Sequence, residues 1–197
     1  MYRPRLRHAM GMLVLILLLT GCSLTSSYTF KTGTLSPARD APPLPLTDQH
    51  GQPFDLTNLK GKVALLYFGY TACPDACPTT LSDWIEVRRL LGDEAEKVAF
   101  VMVTVDPERD TPDKLNQYLA FFDPTFIGLS GNPETIQNVE REYGIYAARE
   151  EFGDSAMGYL MNHTTSYLAI DRDGKLRLVI SHGTEPEIVA EDLRHLI

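Results

Sequence analysis

Two cysteines, Cys73 and Cys77, lie four positions apart in the stretch YFGYTACPDACPTTL, and a proline follows each. A thiol pair at this spacing supports two chemistries, disulfide exchange or capture of a soft metal ion. Proline disfavours the α conformation in the residue before it, so the two thiols are not expected as neighbours on one helical turn. The consistent placement has Cys73 in a loop, Cys77 at a helix N-cap and Pro78 at the first helical position, where its missing N–H is harmless. Both sulfurs then lie near the positive end of the helix dipole, which lowers thiol pKa and favours the thiolate. Asp75, between them, complements the dipole but opposes thiol ionisation by repulsion.

The elements that must position this loop follow from the hydrophobic pattern. Val63–Tyr70 and Val98–Asp106 are continuous apolar runs, as in strands buried on both faces, and Thr79–Leu91 between them reads as a helix. Strand, helix and strand make a βαβ crossover and imply a parallel pair. Upstream, a small hairpin turns at His50-Gly51. Downstream come a helix from about Pro112 to Phe122, a short strand near Phe126–Leu129, and a helix carrying Ile136, Val139 and Tyr143 that stops at Gly144. Thr165–Asp171 and Lys175–Ser181 alternate as two strands joined at Arg172-Asp173-Gly174, and a last helix opens at Thr184-Glu185-Pro186. A βαβ half followed by a ββα half is the order of a thioredoxin-like α/β fold, here with an N-terminal hairpin and an inserted helix and strand. The cysteine loop then falls at the carboxyl end of the first core strand, where open α/β sheets place their ligands.

Thiol oxidoreductases of this fold usually carry two residues between their cysteines and a cis-proline ahead of the third core strand. Here there are three, and no proline occurs from Glu134 to Glu185. Asn162-His163-Thr164 stands at the corresponding place, so His163 is expected to face the cysteine loop. Two thiolates and an imidazole form a three-coordinate soft site suited to Cu(I), with room for a further ligand on Cu(II). Zinc accepts the same ligands but prefers four in a structural site.

Three blocks, GYTACPDACPTTL, VTVDPERDTPDKL (Val103–Leu115) and NHTTSYLAIDRDGKL (Asn162–Leu176), together resemble the Sco/SenC family of copper chaperones. The resemblance runs from about Pro42 to the end. It implies a thioredoxin-like domain tethered to a membrane, with copper bound by Cys73, Cys77 and His163. It also implies delivery of copper to, or reduction of the cysteines of, the binuclear copper centre of cytochrome c oxidase. Two other functions make the same site: a thiol-disulfide reductase or peroxidase with Cys73 as nucleophile and Cys77 as resolving thiol, and a copper or redox sensor.

Other polar and soft residues have plainer roles available. Asp106 ends a core strand beside the loop and is a candidate to orient His163 as a hydrogen-bond acceptor, or merely to open a turn, with Asp110 or Thr111 capping the next helix. Met157 and Met161 carry soft sulfur but fit hydrophobic packing better. Tyr67, Phe68 and Tyr70 read as core and site wall, with Tyr70 a shield against water. Solvated or capping roles suffice for His50, His182 and His195.

The chain has 197 residues, enough for one domain with a sizeable core. Residues 1–21 join Arg3, Arg5 and Arg7 to the apolar run AMGMLVLILLL, too short for a bilayer span and suited to a signal peptide. Leu19-Thr20-Gly21-Cys22 resembles the bacterial lipoprotein box, which makes Cys22 the acylated first residue of the mature protein, a membrane anchor on the periplasmic side. Residues 22–41 are then a Ser/Thr/Pro-rich tether, and residues 42–197 the folded domain. Removal of residues 1–21 takes the net charge from -8 to -11, which argues against nucleic acid as a partner. With Cys22 lipidated, two thiols remain in a compartment where disulfides persist, so a thiol reductase is an implied partner.

Overall fold

The computed structural model describes residues 28–151 and 158–197. In chain order its strands are β1 (Gly33–Asp40), β2 (Leu46–Asp48), β3 (Pro53–Phe54), β4 (Val63–Gly69), β5 (Val98–Thr104), β6 (Ile127–Ser130), β7 (Ala147–Glu151), β8 (Tyr159–His163), β9 (Tyr167–Ile170) and β10 (Lys175–Ile180). The α-helices are α1 (Ala76–Leu91), α2 (Pro112–Phe122), α3 (Pro133–Tyr143) and α4 (Pro186–Arg194).

Eight strands form one mixed sheet in the order β1-β10-β9-β4-β5-β6-β2-β3. Every residue of β4 and β5 is buried, and the two pair in parallel with Val63 opposite Val98 and Gly69 opposite Thr104. The crossover between them is α1, so the expected βαβ unit is present. β9 runs antiparallel to β4 and β10 antiparallel to β9, completing the thioredoxin-like arrangement.

Successive side chains of β4 point to opposite faces, and a helix covers each. On one side Tyr67 meets Trp84 of α1, itself fully buried among Phe100, Phe126 and Tyr167. On the other, Phe68 meets Tyr143 of α3. The caps are those the sequence proposes for α2 and α3: Thr111 accepts from the Lys114 N–H, and Gly144 ends α3 at φ 71°.

Two expectations change. Residues 33–40, assigned to the tether, form an edge strand: β1 pairs antiparallel with β10, Gly33 opposite Val179 and Asp40 opposite Lys175. Just ahead of it, the fully buried Asp192 of α4 accepts from the Tyr28 hydroxyl (2.7 Å), the Lys31 and Thr32 N–H groups (3.0 and 2.9 Å) and the Thr32 hydroxyl (2.7 Å). These partners lie some 160 positions away, which is why a polar, aperiodic stretch conceals them. Secondly, β7 and β8 form a separate two-stranded antiparallel sheet, so His163 ends a hairpin strand and does not sit in a simple approach to β9. Residues 1–27, with Cys22 and the expected signal segment, and Met157 lie outside the described residues.

Candidate metal centre

The cysteine loop begins where β4 leaves the sheet. Gly69 is its last residue, and a Cβ there would lie 2.7 Å from Tyr67 Cε1 and 2.9 Å from Cys77 Sγ. Only glycine lets the sulfur settle against the strand end. Two residues on, Thr71 is fastened to the fully buried Asp110: the Asp110 carboxylate accepts from the Thr71 N–H (3.0 Å), the Thr71 hydroxyl (2.6 Å) and the Thr104 hydroxyl of β5 (2.7 Å). The Cys73 N–H then donates back to the Tyr70 carbonyl (3.3 Å), turning the chain into α1.

Helix α1 starts earlier than expected. Asp75 is its N-cap and makes no side-chain cap, so Cys77 is in the first turn and Pro78 follows it inside the helix. Pro78 remains harmless because the first four N–H groups of a helix lack intrahelical partners in any case. The capping acceptor is sulfur: the Cys77 N–H points at Cys73 Sγ (3.4 Å). The two thiols thus sit across a helix start, one before it and one in its first turn.

Their environments differ, contrary to the expectation that the dipole lowers both pKa values alike. Cys73 is half-buried and held down at about 3, chiefly by a hydrogen bond from the Cys77 thiol, then by His163 and by the N–H groups of Asp75 and Cys77, with burial opposing. Cys77 is wholly buried; burial and the neighbouring Cys73 thiolate push it up. The Tyr67 hydroxyl lies 3.4 Å from Cys77 Sγ and donates to it. The pair is therefore one thiolate and one thiol.

His163 enters from the hairpin. Its Nδ1 lies 2.9 Å from the Thr164 carbonyl, an acceptor only, so Nδ1 carries a proton and Nε2 is the nitrogen turned to the sulfurs. Nε2 faces Cys77 Sγ at 3.7 Å, and the rings of Tyr67 and Tyr70 stand edge-on to the imidazole. The two sulfurs and a ring nitrogen lie within 4.8 Å of one another. Metal–ligand bonds of about 2.0–2.3 Å separate trigonal ligands by about 3.5–4 Å, so a single ion fits with little movement. The donors are soft to borderline, matched to Cu(I) over hard cations.

The SCO1/SenC family model matches residues 33–197. The chain belongs to this family. The Bradyrhizobium japonicum ScoI structure with copper bound is 42% identical, with a TM-score of 0.74 over 81% of this chain and all of that one. The apo Sco1 protein of Thermus thermophilus is 32% identical, with a TM-score of 0.77 over 87% of this chain and 99% of that one. An SCO2-like protein of Rickettsia conorii is 37% identical over 150 residues, 76% of this chain and 73% of the relative. The match of fold and family agrees with the resemblance read from the three sequence blocks.

Within this Sco domain the remaining candidates separate. Asp106 is buried but does not orient His163. Its carboxylate accepts from the Tyr159 hydroxyl at 2.8 Å and from Arg109 Nε, because the strand end points it at the Tyr159 end of β8, the end away from His163 and the triad. Met161 packs against the core and lines a cavity of about 220 Å³ between the hairpin and α3. His182 Nδ1 lies 3.1 Å from the Thr80 hydroxyl, and His195 stacks on Tyr28 with ring centroids 3.4 Å apart. His50 sits in the β2–β3 turn, its N–H on the Asp48 carboxylate. Sequence reasoning passed over Gly69, Arg109 and Tyr159, and read Asp110 only as a cap. The available signals were a glycine set between aromatics in YFGYT and a second aspartate in DPERDTP.

Proposed function

We propose that this protein is a membrane-tethered copper metallochaperone. Copper is its cargo, held by Cys73, Cys77 and His163 and passed by ligand exchange to the binuclear copper centre of cytochrome c oxidase. The observation that carries the reading is the convergence of two sulfurs and one imidazole nitrogen within 4.8 Å at the end of the central strand. Family membership supports it. Loading requires the reduced dithiol, since a disulfide would occupy both sulfurs, and a thiol reductase must supply two electrons and two protons to reopen one. Anaerobic Cu(I) titration of the reduced domain tests it: one equivalent binds, and Cys77→Ser or His163→Ala weakens binding. Binding unchanged by both substitutions refutes it.

The thiolate–thiol asymmetry favours a second role, reduction of the client's cysteines. The half-buried Cys73 thiolate would attack the client disulfide; Cys77 would then lose its proton and displace the client's sulfur, leaving Cys73–Cys77 oxidised and the client reduced. A client-derived peptide disulfide reduced no faster than by free thiol would exclude it. The tether is proposed to end at an acylated Cys22 on the periplasmic side, supported by the Leu19-Thr20-Gly21-Cys22 box. Among the described residues no helix is long and apolar enough to cross a membrane. Mass spectrometry of the mature N-terminus, expected to be a lipidated Cys22, checks this.

A further inference from the structure

The hairpin β7–β8 brings the nitrogen ligand, yet it shares no ladder with the eight-stranded sheet. A two-stranded ribbon is marginal by itself, so side chains must dock it. At the end of β8 opposite His163, Tyr159 is gripped from several directions. Its hydroxyl donates to Asp106 (2.8 Å), and its carbonyl accepts from Arg109 Nη1 (3.0 Å). The guanidinium carbons of Arg109 and Arg149 each lie 3.6 Å from its ring centroid, an approach that leaves one on each face. Both cations are neutralised locally: Arg109 by Asp106, and Arg149 by Glu108 (3.4 Å) and Glu151 (2.6 Å). Asp106, Glu108 and Arg109 all belong to the turn leaving β5, so the grip ties the ribbon to the main sheet. Four residues along an extended strand span about 13 Å, which puts clasp and ligand at opposite ends of one stiff segment.

We propose that Tyr159 is a positioning residue for His163: its ring, held between Arg109 and Arg149, sets the fraction of time the hairpin presents the imidazole to Cys73 and Cys77. The proposal rests on reading the triad as a copper site. Apparent affinity scales with the fraction of molecules in the competent arrangement, so a loosened clasp weakens copper retention with both sulfurs untouched.

The test compares Tyr159→Leu, Tyr159→Phe and Arg149→Gln, each alone and combined with His163→Ala, in the reduced chain carrying one Cu(I). Transfer to a Cu(I)-specific chelator is timed, and the Cys73–Cys77 midpoint potential of the metal-free protein is measured alongside. Tyr159→Leu is expected to speed transfer about tenfold, and Tyr159→Phe, which keeps the ring, by less than about threefold. Neither should add anything once His163 is alanine, and the midpoint potential should stay put. Arg149→Gln, at an exposed position, gives an intermediate effect and serves if the leucine variant misfolds. Equal acceleration with and without His163, or none with it, overturns the clasp alone. If His163→Ala itself leaves retention unchanged, the imidazole is not a ligand and this proposal fails; if Cys77→Ser does so too, the copper-site reading fails with it.

Discussion

Asp110 offers a sharp test of how the cysteine loop is held, because its two informative substitutions have different costs. One carboxylate oxygen accepts from the Thr71 N–H and the Thr104 hydroxyl, the other from the Thr71 hydroxyl. In Asp110→Asn the amide oxygen can keep the first two bonds. The amide nitrogen can donate to Thr71 Oγ1 once that hydroxyl rotates, so what is lost is the excess strength of a charge-assisted bond, about 1 kcal/mol. Asp110→Ala leaves three donors without an acceptor. Thr71 is half-buried and recovers water at its hydroxyl, so two buried donors stay unsatisfied, at about 1–3 kcal/mol each, or roughly 2–6 kcal/mol in all. Urea unfolding of the reduced, metal-free protein measures both, and Cu(I) titration should show alanine, not asparagine, weakening the site as Thr71 and the following Cys73 loosen. If alanine costs no more than asparagine, Asp110 is not what fixes the loop.

Gly69→Ala drives a methyl into Tyr67 and Cys77 Sγ, so we expect a loss of about 1–3 kcal/mol by overpacking, together with weaker Cu(I) binding. Cys73 is already ionised far below neutral pH; its alkylation by iodoacetamide should therefore hardly vary from pH 5 to 8, while Cys77 stays unreactive. Because its folded pKa lies below its unfolded one, the unfolded chain binds the extra proton over that window, so stability should rise with pH in the reduced protein and less so in Cys73→Ser. Asp192→Ala removes the acceptor for Tyr28, Lys31 and Thr32; limited proteolysis should then cut within residues 28–32 while Cu(I) titration stays unchanged.

What the sequence made legible was what local chemistry decides. The Thr111-Pro112 start places α2 at its observed bounds, and the all-apolar runs identify the parallel β4–β5 pair. His163 could be picked out because the absence of a proline at its position is a property of the chain itself. What escaped depends on distant partners. GTLSPARD becomes a strand because β10 completes its hydrogen bonds, with Asp192 fastening residues 28–32 just ahead of it, and AAREE becomes one because YLMNH lies opposite it. Asp110 looks like a helix cap until Thr71, 39 residues earlier, is seen to need an acceptor. The lowered pKa expected for both thiols failed for the same reason: the hydrogen bond from Cys77 holds Cys73 down against its partial burial, whereas full burial against Gly69 and Tyr67 and the neighbouring Cys73 push Cys77 up.

The three ligands are held with unequal firmness, and on the copper reading this orders their release. Moving Cys77 means withdrawing a wholly buried sulfur from the first turn of α1, between Gly69 and the Tyr67 hydroxyl, and disturbing the Trp84 core behind it. Moving Cys73 costs the N–H groups at the start of α1 their acceptor, but it is only half-buried at the edge of the core, where less packing is lost than at Cys77. Moving His163 disturbs a two-stranded ribbon outside the main sheet and the clasp at its far end. A client ligand can therefore replace the imidazole first, then the accessible Cys73 thiolate, with Cys77 the last attachment. Each replacement keeps the metal in contact with at least two ligands. On that reading the hydrophobic core stays closed throughout, and transfer by successive exchange would need no unfolding.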